Sequence, residues 1–452
     1  MTRRDLLRTP AAAMLAGAMP AAQTPRPNII FILADDLGYG DLGCYGQKEI
    51  QTPHLDRMAS EGLRFTQAYT GSTVCAPSRC CLMTGRHTGH TTVRGNLQPE
   101  PGIGPDETTV ASMLKGAGYR TALFGKWGLG GPGTGSVPNT RGFDEFYGYQ
   151  NQLHAHNSYP EHLWDNQNES FLTANWFDQR KQFSNDLFTE RALNFVSAAR
   201  QPYFLYLCYT VPHADNELFA LRGNGIETPD DRPYHDRPWP QIERNFASIV
   251  TRMDADIGRL FAALKAAGQD ENTLVIFTSD NGPHEEGGHK PDFFKSCGPL
   301  RGIKRDLYDG GIRVPYMVRW PGRVAAGKTS DQMHAFWDFL PTAAEVAGLP
   351  SPRSLDGISM LPAYLGKPQP RQHDYLYWEF HERGFAQAIR TGNHKCFRRN
   401  PGQPIEVYDL ASDIGERNDI APQSPAQVRR AQEIFRTART DSQLFPVKPA
   451  RA

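Results

Sequence analysis

Apolar residues along this chain fall into short unbroken runs separated by longer stretches of helical spacing. The runs at 28–34, 121–124, 203–209 and 273–278 show almost no polar alternation. They therefore predict strands covered on both faces. Apolar positions recur at helical spacing over 52–62, 108–117, 185–199, 245–267 and 333–347, several of which stop at a glycine, as at Gly62, Gly118, Gly268 and Gly348. Strands alternating with helices predict an α/β fold, with a large, mixed, mostly parallel sheet flanked by helices. Near residue 350 the texture changes, with Pro350, Pro352, Pro362, Pro368 and Pro370 close together. Short runs then follow at 375–380, 385–390, 395–399 and 406–410, ahead of a polar helix. These predict a small antiparallel sheet with one helix. The organisation read from the pattern is a leader at 1–22, a main domain at 23–350 and a smaller C-terminal subdomain at 351–452.

The leader carries Arg3-Arg4, then an apolar stretch from Ala11 to Met19 and small residues at Ala21-Ala22. That is the outline of a twin-arginine export signal, and the stretch is too short for a membrane span. The expected location is periplasmic or extracellular, with no membrane-spanning segment elsewhere. Charge is balanced, 49 Lys+Arg against 49 Asp+Glu, with no basic block, so the footprint of a nucleic-acid binder is missing. Seven cysteines form no CxxC pair, which removes zinc-ribbon and thioredoxin-type readings.

Each apolar run ends in reactive polar residues: Asp35-Asp36, Gly125-Lys126, Pro212-His213 and Asp280-Asn281-Gly282. Ligands of open α/β sheets bind at the carboxyl ends of strands, so these segments are expected to converge. Asp35, Asp36, Asp280 and Asn281 offer only hard oxygen donors, a set suited to Ca²⁺, less to Mg²⁺, and unsuited to zinc. Either acidic pair alone would read as a turn or cap. Cys75 opens the segment Cys75-Ala76-Pro77-Ser78-Arg79, which runs to Thr84-Gly85-Arg86. Pro77 and Gly85 bracket a short helix, placing Cys75 at an N-terminus that favours an anion. An inert buried thiol and a plain thiol nucleophile are the other readings of this cysteine.

The Cys75-x-Pro77-Ser78-Arg79 motif, followed by Leu82, Thr84, Gly85 and Arg86, resembles the signature of type I formylglycine-dependent sulfatases of the alkaline-phosphatase superfamily. Gly38-Tyr39-Gly40-Asp41, Gly125-Lys126-Trp127, Leu300-Arg301-Gly302, Gly310-Gly311-Ile312-Arg313 and Val407-Tyr408-Asp409-Leu410 extend the likeness over nearly the whole chain. It implies an alkaline-phosphatase-like fold and sulfate-ester hydrolysis. It also implies that a formylglycine-generating maturation enzyme oxidises Cys75 to 3-oxoalanine. Asp35, Asp36, Asp280 and Asn281, with residue 75, would then hold calcium, and Arg79, Lys126, His213 and Lys304 would surround the sulfate. The segments Gly125-Lys126-Trp127-Gly128-Leu129-Gly130 and Pro160-Glu161-His162-Leu163-Trp164 resemble bacterial sulfatases acting on sulfated galactose or N-acetylgalactosamine, so a sulfated glycan is the expected substrate. Tyr159 and Trp164 are candidate sugar-stacking rings.

One position departs from the family pattern. A histidine is common two residues after the lysine, and this chain has Gly128 there. His156 is the first candidate to replace it, and His156, His284 and His289 are read as substrate-binding rim residues. His284-Glu285-Glu286-Gly287-Gly288-His289 has the outline of a zinc-protease helix, but its spacing is one residue too long and its glycines oppose a helix. Competing functions are a phosphodiester or phosphonate-ester hydrolase of the same superfamily and a silent protein that binds sulfated glycans.

Overall fold

A computed structural model describes residues 26–200 and 202–447; the leader expected at 1–22 lies outside them. The four long apolar runs form neighbouring strands: β1 (Asn28–Asp35), β2 (Arg120–Lys126), β3 (Tyr203–Pro212) and β4 (Thr273–Ser279). They lie side by side in the order β4-β1-β3-β2, all parallel, at the centre of a ten-stranded sheet. Glu145–Tyr149 continues the parallel set beyond β2, and the antiparallel strands His162–Asp165 and Asn168–Phe171 finish that edge. Beyond β4 come Tyr316–Arg319, antiparallel, then Leu63–Phe65 and Lys328–Ser330.

Double coverage explains the unbroken apolar runs. Ile30, Ile32, Leu205, Leu207, Val275 and Phe277 face one core, covered by the long helix Gln241–Ala266 through Phe246, Ile249, Met253 and Leu260. Ile29, Phe31, Phe204, Tyr206, Leu274 and Ile276 face the other, which takes in Cys80, Leu82 and Met83 of α1 (Cys75–Thr84). One expected helix is shorter than its pattern. The 333–347 segment starts as a short strand, His334–Ala335, and turns through Phe336–Asp338 before the helix Phe339–Val346 begins. Its Pro341 sits in the first turn, where a missing N–H costs little.

The C-terminal runs form a four-stranded antiparallel sheet of Leu376–Phe380, Ala386–Thr391, His394–Arg398 and Glu406–Asp409. The helix Pro425–Thr437 packs Ala431, Ile434 and Phe435 against Ile389, Cys396 and Val407. Buried ions tie this sheet to the main body. Lys395 Nζ lies 2.9 Å from Asp309 Oδ1 and 3.4 Å from a Glu416 oxygen, and Arg313 lies 3.3 Å from Asp309 Oδ2. All seven cysteines are unpaired.

Candidate active site

The strand ends meet at one place, held by backbone as much as by side chains. Asp280 N–H donates to Ala34 O at 3.1 Å, and Asp36 N–H donates to Asp280 Oδ1 at 3.1 Å. Asp36 has φ of 66°, a left-handed conformation that a non-glycine residue adopts at a cost. A Cβ on Gly282 would stand 1.8 Å from Gly310 O, so the glycines of both segments permit the contact that brings the Lys304 loop onto the strand ends.

α1 supplies Cys75 as its first residue and locks itself to the same point. Ser78 Oγ donates to Asp280 O. Arg79, one turn along, donates Nε and Nη2 to Asp280 Oδ2 at 3.0 and 2.8 Å and Nη1 to Lys126 O at 3.0 Å. Its Nη2 also lies 3.3 Å from Asp35 Oδ2. Arg79 is fully enclosed and is spent on holding the acidic residues together. Cys75 Sγ sits 3.5 Å from Asp35 Oδ1. Burial pushes its thiol well above the ordinary value, and Asp35 adds to this, so a plain thiolate is disfavoured.

Cations balance the carboxylates. Lys126 Nζ donates to Asp35 Oδ2 at 2.6 Å, and Lys304 Nζ donates to Asp36 Oδ2 at 2.8 Å. Burial favours the neutral acid at both carboxyls. Lys126 and Arg79 outweigh it at Asp35, and Lys304 at Asp36, so both are held below the usual carboxylate range. Lys304 also bonds Glu286 Oε2 at 2.8 Å and His213 Nε2 at 3.1 Å, which occupies all three ammonium protons. His213 Nδ1 lies 2.7 Å from Ala214 O, so Nδ1 carries the proton and Nε2 accepts from Lys304. Burial, with Lys304 beside it, pushes His213 down to about 3, and the ring is neutral.

The donor set fits a hard divalent cation. Donor atoms of Asp35, Asp36, Cys75 and His213 all lie within 4.8 Å of one another. Asn281 Nδ2 donates to Asp36 Oδ1 at 2.6 Å and to Gly282 O at 2.9 Å, while its Oδ1 is buried without a partner. Burial and the carboxylates of Asp35 and Asp36 push Asp280 up to about 7 despite Arg79. An orphaned amide oxygen beside three crowded carboxyl groups is the environment a cation relieves.

The site opens into a cleft of about 500 Å³ whose lining includes Cys75, Asn96, Gln152, His156, His213, Glu286, Lys304 and Arg305. The other expected rim histidines are placed differently. His284 is buried, accepting from Glu286 N–H through Nδ1 at 2.9 Å, with Nε2 3.1 Å from Pro212 O. His289 is buried too, with Nδ1 2.7 Å from Glu243 and its ring stacked on Phe246 at 3.8 Å. The Gly287-Gly288 turn folds both rings inward under the Gln241–Ala266 helix, so neither is a rim residue. His156 does line the cleft, with its ring stacked on His213 at 4.8 Å and Nδ1 3.0 Å from Glu217. Tyr159 is buried under Arg180, and Trp164 is partly buried against the core. Gly128 (φ 67°) is backed by Gln152, whose Nε2 donates to Gly128 O at 3.1 Å and stands 2.2 Å from where a Cβ would be. Glu286 is the residue sequence reasoning missed. It bonds Lys304 and Arg305 and lies 3.7 Å from His213. Its only signal was its place in the acidic, glycine-rich segment after Asn281.

The model of the sulfatase family matches residues 27–349. The chain belongs to the sulfatase family. It is therefore a sulfuric ester hydrolase on an alkaline-phosphatase-type fold, from a family that uses formylglycine and a divalent metal. A second model, described as the C-terminal part of N-sulphoglucosamine sulphohydrolase, matches residues 303–437. This sulfatase is 34% identical to human arylsulfatase A over 91% of its own length and 86% of that protein. It is 32% identical to mouse N-acetylgalactosamine-6-sulfatase over 95% of its length and 84% of that protein. Among solved structures it resembles Ps i-CgsB in complex with k-i-k-neocarrahexaose, with a TM-score of 0.80 and 29% identity over 94% of this chain and 95% of that one.

Proposed function

We propose that this sulfatase releases sulfate from a sulfated glycan, using Cys75 oxidised to formylglycine and calcium held by Asp35, Asp36, Asp280, Asn281 and residue 75. The observation that carries the reading is the convergence of this oxygen-donor set, Cys75 and three buried cations at one point, from which Cys75 and Lys304 line the cleft. A sulfated galactose or N-acetylgalactosamine unit is the substrate suggested by the sequence likeness, by the N-acetylgalactosamine-6-sulfatase relative and by the carrageenan-oligosaccharide complex of the structural neighbour. Export from the cytoplasm and a boundary near residue 350 belong to the same reading.

Formylglycine at residue 75 would supply, as its hydrate, the hydroxyl nucleophile for the ester sulfur and a second hydroxyl for release of sulfate. Calcium held by these residues would supply positive charge to the nucleophile and the sulfate group. The protein does the rest. Lys126 and Lys304 face the developing charge on the sulfate oxygens from fixed positions, a preorganised arrangement worth more than the same charges in water. Arg79 acts through Asp280 and the Lys126 carbonyl, keeping the acidic residues in place rather than touching sulfate. The proton held between Lys304 Nζ and His213 Nε2 is the one available to the departing alcohol oxygen. Glu286 fixes Lys304 in the position to deliver it.

Mass spectrometry of the peptide spanning residue 75, paired with an aldehyde-reactive probe and turnover of 4-nitrophenyl sulfate and phosphate, tests the proposal. The expected outcome is an aldehyde at residue 75 and faster sulfate than phosphate release. An active protein with an unmodified thiol would refute the nucleophile, preferred phosphate cleavage would refute the substrate class, and glycan binding without sulfate release would mark a silent protein.

A further inference from the structure

Beside the cleft, two partly buried rings lead outward to two exposed ones at the edge of the sheet. Leu153, 52% exposed, lines the cleft, and its neighbour His154 places its ring 4.5 Å from that of His162. His162 lies 6.2 Å from Phe171, and Phe171 lies 6.3 Å from Trp176. Phe171 is 60% exposed and Trp176 38%, although both belong to ordered elements. Phe171 ends the edge strand Asn168–Phe171 opposite His162, and Trp176 belongs to the turn Thr173–Asp178. A second path ties this turn to the cleft. Asp178 bonds Arg222, the last residue of the short helix Asn216–Arg222, and Asn216 at its start lines the cleft.

Large aromatic rings on a protein surface, bordered by polar residues, mark a place where something binds. Successive ring contacts of 4.5 to 6.3 Å make a narrow track rather than a broad patch. The C–H faces of pyranose rings pack on aromatic faces while their hydroxyls stay in water, and a track of single rings suits a chain of them. Continuity with the cleft decides the occupant, because a glycan whose sulfated unit sits at residue 75 has to continue out of the cleft mouth. We infer that Phe171 and Trp176, with His162 between them and the cleft, bind the sugar units beyond the sulfated one, so that this sulfatase selects oligosaccharide chains over single sulfated sugars. The inference rests on the glycan-sulfatase reading above.

The test uses the mature full-length protein and the double variant Phe171→Ala/Trp176→Ala. Isothermal titration calorimetry with a carrageenan-type sulfated disaccharide and hexasaccharide is set beside turnover of 4-nitrophenyl sulfate. The wild type is expected to bind the hexasaccharide about tenfold more tightly than the disaccharide, the size of effect two stacked rings provide. The double variant is expected to lose that difference while its kcat/KM on 4-nitrophenyl sulfate stays within twofold of wild type. Equal affinity of the wild type for both lengths, or a length preference that survives the double substitution, overturns the inference. A wild-type dimer that the substitution dissociates, with the length preference intact, would assign the track to a second copy of the chain. Absent turnover of 4-nitrophenyl sulfate alongside length-dependent binding would sink the hydrolase reading while leaving the track standing.

Discussion

Placing a histidine at position 128 is the sharpest test of how this chain departs from its family pattern. Gly128 has φ of 67°, and a non-glycine residue there costs about 1–2 kcal/mol of backbone strain. Its Cβ would meet Gln152 Nε2 at 2.2 Å and Cδ at 2.9 Å. Gln152 is buried, so moving it breaks the bond to Gly128 O and strands an amide, a further cost of about 1–3 kcal/mol. Gly128→His should therefore destabilise by about 2–5 kcal/mol, which lowers Tm by roughly 2–5 °C in a chain of this length. Denaturant titration and scanning calorimetry measure both quantities. The double variant Gly128→Ala/Gln152→Ala relieves the clash but not the strain, so a mutant cycle should return about 1 kcal/mol or more of favourable coupling. An unchanged midpoint for Gly128→His, or zero coupling in the cycle, would show that Gln152 does not fill the space the family histidine uses.

Other expectations follow from the same contacts. Cys75→Ala should abolish turnover of 4-nitrophenyl sulfate while retaining the wild-type circular dichroism spectrum; residual turnover above background would contradict the nucleophile. Asn281→Ala removes the unpartnered Oδ1 without removing a charge, and should abolish most of the Tm increase that added Ca²⁺ gives the wild type. Asp280 is a poorer choice for that experiment, because its loss removes the two shorter bonds of the enclosed Arg79, leaving it Asp35 at 3.3 Å, and the fold itself should suffer. Asp309→Ala takes the carboxylate from Arg313 and leaves Lys395 only Glu416 at 3.4 Å, and should cost about 3–5 kcal/mol in denaturant titration; a change below 1 kcal/mol would mean the buried network is not what anchors the C-terminal sheet. Burial holds His334 down at about 4 from an ordinary 6.5, so it folds neutral. Its contribution is present above pH 6.5 and is lost as pH falls through 4, with a slope of up to about 1.4 kcal/mol per pH unit. His334→Phe, packed between Phe65 and Tyr316, should flatten that slope, and an identical acid profile would exclude His334 as its source.

The central sheet was legible because parallel strands buried on both faces leave an unmistakable apolar record, as at Asn28–Asp35 and Thr273–Ser279. Asp35, Asp36, Asp280 and Asn281 were legible for a related reason, since polar residues directly after such strands stand at the sheet's carboxyl edge. What the pattern could not convey is what comes to lie against a loop. His284 and His289 sit in a polar, glycine-rich segment that looks exposed, yet Glu243 and Phe246 arrive from a helix some forty residues earlier and close over them. Gln152 behind Gly128 and Glu286 beneath Lys304 are pairings across 24 and 18 positions with no periodicity to announce them. Arg79 was expected at the sulfate, but its reach from one turn into α1 ends on Asp280 and Asp35.

The seclusion of Cys75 has a bearing on the order of events in biogenesis. Only 2% of the residue is exposed in the finished structure, and the carboxylates around it come from segments up to some two hundred positions downstream. If Cys75 is oxidised by a second protein, as proposed above, that protein would need it in an open, pliable stretch, and the oxidation would precede the arrival of the Asp280 segment. The window for making the nucleophile would then close as synthesis proceeds, and a chain that misses it would be locked as a well-folded, permanently idle copy.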